Sequence, residues 1–223
     1  VEALVSTIKG VIRRRSGPPI IDDLGKTWVA TGSAVITTAL SKFGTGCLDI
    51  SSASGDSITT TSGMTDYQLP SNTAFCFDFW LYVPTLSAGV IFTGEGTNAV
   101  GLKMNASGAL TPLEFGVGDY YTTSNALVAN TWQYIAFFRN ASNVSNVCVN
   151  GSVVGSGSMP SSFGTPSVFN IGAYSAGGAE NAACFVDDFR YAKGNARYTG
   201  AHSSPVSEAT ADTGVVSLLR FNA

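Results

Sequence analysis

Charge is what this sequence has least of. Only 12% of its 223 residues are Asp, Glu, Lys or Arg, about half the usual share. It has one histidine and four cysteines. The pI is near 5.0 and the net charge −3, so the chain as a whole carries no nucleic-acid footprint. His202 stands alone in a Ser/Pro-rich loop, which does not supply a Ser-His-Asp triad. Cys47, Cys76, Cys148 and Cys184 sit singly in apolar runs and lack the C-x-x-C spacing of a zinc site. Buried thiols are expected there, with disulfides as the second reading. No apolar run reaches the 18 or so residues of a membrane span, and no signal peptide is recognisable. Membrane insertion is not expected.

The low charge is balanced by 44% hydrophobic residues and by Gly, Ser, Thr, Asn and Ala. That mixture suits a chain with a sizeable core and a polar, weakly charged surface. Residues 1–20 differ. Lys9, Arg13, Arg14 and Arg15 outweigh Glu2 there, and the remainder is acidic. Leu4, Val5, Ile8, Val11 and Ile12 recur at helical spacing, although Gly10 weakens that helix. Gly17-Pro18-Pro19 ends it. The expectation is an arm over residues 1–21 that docks through those apolar residues and Arg13–Arg15, or else a frayed terminus.

From Ile21 on, the pattern is β. Residues 74–83 (AFCFDFWLYV) alternate between two apolar faces, as a central strand of a two-layer sandwich does. Residues 131–139 (TWQYIAFFR), 168–173 and 184–192 are further strong strands, and 214–222 is a closing strand. Asn150-Gly151 between apolar runs signals a hairpin. Strands spaced by 8–15 residues, without a convincing long helix, predict an all-β fold. Asp78, within the first strong strand, should have partners. Alternation places Asp187 on a face with Phe185, Phe189 and Tyr191, and pairs Asp188 with Arg190 on the other face. All four charged residues (Asp78, Asp187, Asp188 and Arg190) read as structural.

The order of segments carries a resemblance. Cys47-Leu48-Asp49-Ile50 leads to Ser54-Gly55-Asp56, then to residues 75–82, Asn130-Thr131-Trp132, Val149-Asn150-Gly151 and Ile171-Gly172. Phe185-Val186-Asp187-Asp188-Phe189-Arg190 and Ala196-Arg197-Tyr198-Thr199 close the series. This series resembles the laminin G-like, concanavalin A-like jelly roll common in bacteriophage and bacterial surface proteins, over about residues 22–205. The resemblance implies a two-sheet antiparallel sandwich over residues 22–223. It also implies a virion setting: a capsid decoration or tail/fibre protein at the particle surface. Its partners would be other virion proteins, reached through the arm, and further copies of itself, by analogy a trimer. A secreted bacterial glycan-binding adhesin is the alternative. One departure stands out. The segment 217–222 lies at the C-terminus, not before the Lys26-Thr27-Trp28 region, so it either fills its place in its own chain or adds to a neighbour.

A glycoside hydrolase is the third and weakest reading, because no strand shows a spaced acidic triplet. No enzyme and no cofactor are expected. Some relatives hold a rim Ca²⁺, but the six to eight oxygens such an ion needs cannot be assembled from this sequence. Polysaccharide binding is instead expected in loops: Asp119, Tyr120 and Tyr121; Tyr174, Glu180 and Asn181; and Glu95 with Asn98. Ordinary polar turns would have the same composition. N-x-S/T triplets at Asn105, Asn140 and Asn143 read as chance.

Overall fold

The computed structural model describes residues 20–52, 55–176 and 180–222. The arm residues Leu4, Val5, Ile8, Val11, Ile12, Arg13, Arg14 and Arg15 lie outside them.

Sixteen strands follow in order: β1 (Ile20–Ile21), β2 (Thr27–Thr31), β3 (Val35–Thr37), β4 (Cys47–Asp49), β5 (Ser57–Thr60), β6 (Phe75–Tyr82), β7 (Gly89–Glu95), β8 (Val100–Met104), β9 (Leu110–Glu114), β10 (Gly118–Asp119), β11 (Trp132–Arg139), β12 (Val144–Val149), β13 (Ser152–Ser158), β14 (Val168–Ile171), β15 (Phe185–Lys193) and β16 (Val215–Leu219). One helical turn, α1 (Met64–Tyr67), precedes β6. The first sheet runs β1-β2-β5-β14-β7-β8-β9-β10. The second runs β13-β12-β11-β6-β15-β4-β3, with β16 also paired to β15. All of these strand pairs are antiparallel, and the molecule is a concanavalin A-like jelly-roll sandwich.

The inner faces meet in an aromatic core. Phe77 stacks on Tyr191 at 4.2 Å and contacts Phe92 at 4.5 Å, so rings from β6, β15 and β7 bridge the two layers. Trp28, Phe75, Phe79, Phe137, Phe169 and Phe189 are all fully buried around them. Burying each such ring is worth roughly 1.5–3 kcal/mol, and edge-on and offset pairs add to that. All four cysteines are free and buried.

β16 pairs with β15 of its own chain, Phe189 opposite Leu219. Asp22 ties the entering hairpin to it, accepting Ser217 Oγ at 2.7 Å and the amide of Lys26 at 2.7 Å. The Asn150-Gly151 hairpin forms with φ of 50° and 81°, the two left-handed residues that a type I′ turn requires. Asn105 and Asn140 are turn residues, each accepting two nearby amides, which gives N-x-S/T composition a structural reason.

One sequence expectation is corrected. Asp188 adopts φ 55° in a bulge between Asp187 and Arg190. The extra residue reverses the alternation. Val186, Phe189 and Tyr191 face the core, while Asp187 and Arg190 line up with the outward Trp80 and Asp78 of β6. Asp187 therefore does not share a face with Phe189 and Tyr191. The charge partner of Arg190 is Asp78, not Asp188.

Candidate functional site

The loop residues expected to bind fall into two groups. In the first, Glu95 ends β7 and accepts the amide of Ala176 at 2.8 Å. Tyr174 stacks on Phe115 at 4.6 Å, and its hydroxyl accepts the amide of Gly116 at 3.1 Å. Asn98 is exposed, and its carbonyl accepts the amide of Gly164. Glu180 is exposed, and its carbonyl accepts the amide of Val90 at 2.6 Å; Asn181 bridges to Val90. Residues 177–179 of this loop lie outside the described residues. These contacts preorganise the rim, but they also occupy the ring face and hydroxyl of Tyr174.

The second group closes the sandwich edge. Asp119 forms an ion pair with Lys103 at 2.8 Å. Tyr120 donates its hydroxyl to the Glu114 carboxylate, which burial pushes above its ordinary range. The hydroxyls of Tyr121 and Ser145 share a hydrogen bond at 2.9 Å. Its ring lies where a Cβ on Gly157 would stand 2.4 Å from it. Both tyrosines pack against the core. Tyr120 and Tyr121 are thus half-buried rings with engaged hydroxyls.

The structure brings together a set that the loop reading missed. On the outer face of the second sheet, Trp132 opens β11, Tyr82 ends β6 and Phe185 opens β15. Register places Trp132 opposite Tyr82, and Tyr82 opposite Phe185. The ring centroids are 5.6 Å and 5.8 Å apart. All three rings are half-buried, so part of each faces solvent. The row continues through Asp49 of β4 to Val35 of β3. The exposed Asn130 accepts a long hydrogen bond, 3.4 Å, from Oη of the middle ring, Tyr82. Beyond Phe185, Asp49 accepts the hydroxyl of Ser51 at 2.6 Å. Polar acceptors thus flank an apolar strip held on rigid strands. A period-2 reading already places Tyr82 outward. Aligning three strand ends into one row needs the register, which no single strand reveals.

The next step along the same face is covered. Trp80, opposite Tyr134, is 5% exposed. Lys42 Nζ lies 4.1 Å from its ring centroid, and Phe43 meets it edge-on at 5.8 Å. Asp187 holds this turn, its Oδ2 accepting the amides of Lys42 at 2.8 Å and Phe43 at 3.1 Å. Asp188 accepts the amide of Ala209 at 2.6 Å. Burial pushes the two carboxyls up, to about 6 for Asp187 and about 7 for Asp188.

Further along, Asp78 is sealed. It takes Arg190 through Nε at 3.0 Å and Nη2 at 2.8 Å, a two-pronged pair, and Arg197 at 3.5 Å. Among the described residues, no group of three or more His, Cys, Asp or Glu side chains is placed to hold a metal ion.

A family model described as the concanavalin A-like lectin/glucanases superfamily matches residues 52–194. The botulinum neurotoxin serotype G binding domain superposes with a TM-score of 0.57 at 13% identity, covering 81% of this chain and 45% of that one. The binding domain of Paraclostridial Mosquitocidal Protein 1 gives 0.58 at 14%, covering 80% and 45%. The binding domain of botulinum neurotoxin DC in complex with SialylT gives 0.54 at 12%, covering 76% and 43%. The chain spans less than half the length of these neighbours, and the likeness is one of fold. Comparison with curated protein sequences returns no match.

Proposed function

The chain belongs to the concanavalin A-like lectin/glucanases superfamily, and on that premise we propose that it binds carbohydrate without catalysis, using the Trp132–Tyr82–Phe185 row as its platform. The observation that carries this reading is the row itself: three half-buried rings in register on three strands, with Asn130 on the middle ring and Asp49 beside Phe185. A pyranose has an apolar C–H face and a rim of hydroxyls. Aromatic rings match the first, and amide and carboxylate oxygens match the second. The strand carboxylates Asp78, Asp187 and Asp188 are committed to structural hydrogen bonds, which supports a binding role over hydrolysis. In this reading no cofactor takes part.

The test is an array of neutral and sialylated oligosaccharides. Trp132→Ala and Tyr82→Ala should each weaken binding about tenfold or more, as removal of an interface aromatic does, while Tyr121→Ala should leave it unchanged. No binding on the array, or binding indifferent to Trp132→Ala, overturns the proposal.

The setting we propose is a virus particle, with the protein as a decoration or fibre component that anchors through residues 1–20 and self-associates. This rests on the resemblance of the ordered motifs and on the basic, apolar composition of those residues. Deleting residues 1–20 should abolish incorporation into particles. Normal incorporation of the truncated chain overturns it.

A further inference from the structure

Asp187 stands directly behind the aromatic row, two residues along β15 from Phe185 and opposite Trp80. One of its oxygens fastens the Lys42–Phe43 turn over Trp80. The other oxygen is buried and has no hydrogen-bond partner. The neighbouring Asp188, 4% exposed, likewise has one unpartnered oxygen. Two adjacent buried carboxyls, each half satisfied, thus underlie the wall of the proposed platform.

We propose that the Lys42–Phe43 turn is a pH-controlled cover on Trp80, closed while Asp187 is protonated and opened by its ionisation, so that the aromatic row gains a fourth ring. The platform half of this inference rests on the carbohydrate reading above; the cover itself does not. With the turn closed, an ionised Asp187 is cut off from water, and burial is the largest influence raising its carboxyl from 3.8 to about 6. The amides of Phe43, Lys42 and Asp188 oppose that rise without cancelling it. With the turn lifted, water reaches the carboxylate and its ordinary value returns. The closed state therefore holds the proton more tightly. By linkage, closure is strongest in acid and weakens as pH rises through about 6. The surrounding groups act in the same direction. Glu208 adds negative charge, while the Asp188 carboxyl, raised to about 7, and the Cys47 thiol, raised to about 12, are still protonated there. Arg190 faces Asp188, but Asp78 neutralises it. Lys42 places its ammonium over Trp80.

Amide exchange at Lys42 and Phe43, corrected for intrinsic base catalysis, tests this on the whole chain. Acrylamide quenching of Trp80, assigned by difference from Trp80→Phe, tests it independently. Between about pH 5 and pH 8, protection should fall roughly tenfold or more and quenching should rise. Asp187→Asn keeps an acceptor oxygen but cannot ionise, so both profiles should become flat. Glu208→Gln removes the negative charge that helps raise the Asp187 carboxyl and should move the midpoint to lower pH, which decides the matter if Asp187→Asn fails to fold. Protection that is constant with pH, or a midpoint surviving in Asp187→Asn, overturns the cover. A pH-dependent cover without binding to any array glycan overturns the platform reading alone.

Discussion

The outer face of the second sheet has two ends built from the same three strands, and they differ in every respect that matters for function. At one end, Trp132, Tyr82 and Phe185 stand in register with their rings half open. Four residues further along β11 and β6, Ala136 and Asp78 stand in register with Arg190 of β15, and the loop of residues 195–212 closes over them. Tyr198 bonds its hydroxyl to Tyr134 at 2.8 Å and stacks on His202 at 3.6 Å. Arg197 reaches back to Asp78, and both arginines reach Asp212. The charged end looks more like a site in the sequence, yet its charges are consumed in holding a loop down. The aromatic end looks like surplus core, yet its three rings stay half-buried in a row on rigid strands. Charge marks the anchor here, and in the proposed reading the half-buried rings mark the binding surface.

The sharpest way to break this contrast is at the anchor. Asp78→Ala leaves Arg190 buried and uncompensated, and should cost roughly 3–5 kcal/mol in urea unfolding. Replacing both residues with leucine should cost less than either single change, since no orphaned charge remains. Equal or larger loss in the double variant would mean that the ion pair itself stabilises the sheet. At the open end the expectation reverses. Trp132→Ala should change unfolding by under about 1 kcal/mol while weakening glycan binding about tenfold. Tyr198→Phe sits between the two. It removes one hydroxyl pair and should cost about 1 kcal/mol, with glycan affinity unchanged.

How much of this contrast was legible in the sequence depended on whether one strand sufficed. Alternation within residues 74–83 and 131–139 places Phe75, Phe77, Phe79, Ile135 and Phe137 inward, and they do form the core. The Asn-Gly hairpin was readable because its turn type demands those residues. The ordered motif series gave the sandwich. The bulge at Asp188 was not readable: a non-glycine residue at positive φ carries no reliable signal, and one extra residue transposes every side chain after it. The aromatic row was invisible for a related reason, since it exists only as register between residues fifty or more positions apart. Loop composition likewise says nothing of how far a ring packs inward, and Tyr120 and Tyr121 are both half-buried against the core.

The smallest effect expected is the pH dependence of stability, and it separates the two ends most finely. Asp187 and Asp188 make stability change between pH 5 and 8, because burial raises their carboxyls from 3.8 to about 6 and about 7. A carboxyl raised in the folded state makes folding bind protons. Its stabilising contribution is whole below the unfolded value of 3.8, falls as pH climbs, and is gone once pH passes the folded values. The urea midpoint should therefore be higher at pH 5 than at pH 8. A turn that opens locally hydrates Asp187 without global unfolding and shrinks its share, leaving most of the difference to Asp188. Asp188→Asn should narrow it, and the Asp187→Asn, Asp188→Asn double variant should abolish it. A midpoint that rises with pH would place the controlling carboxyls elsewhere in the fold and remove the link between the covered tryptophan and the open row.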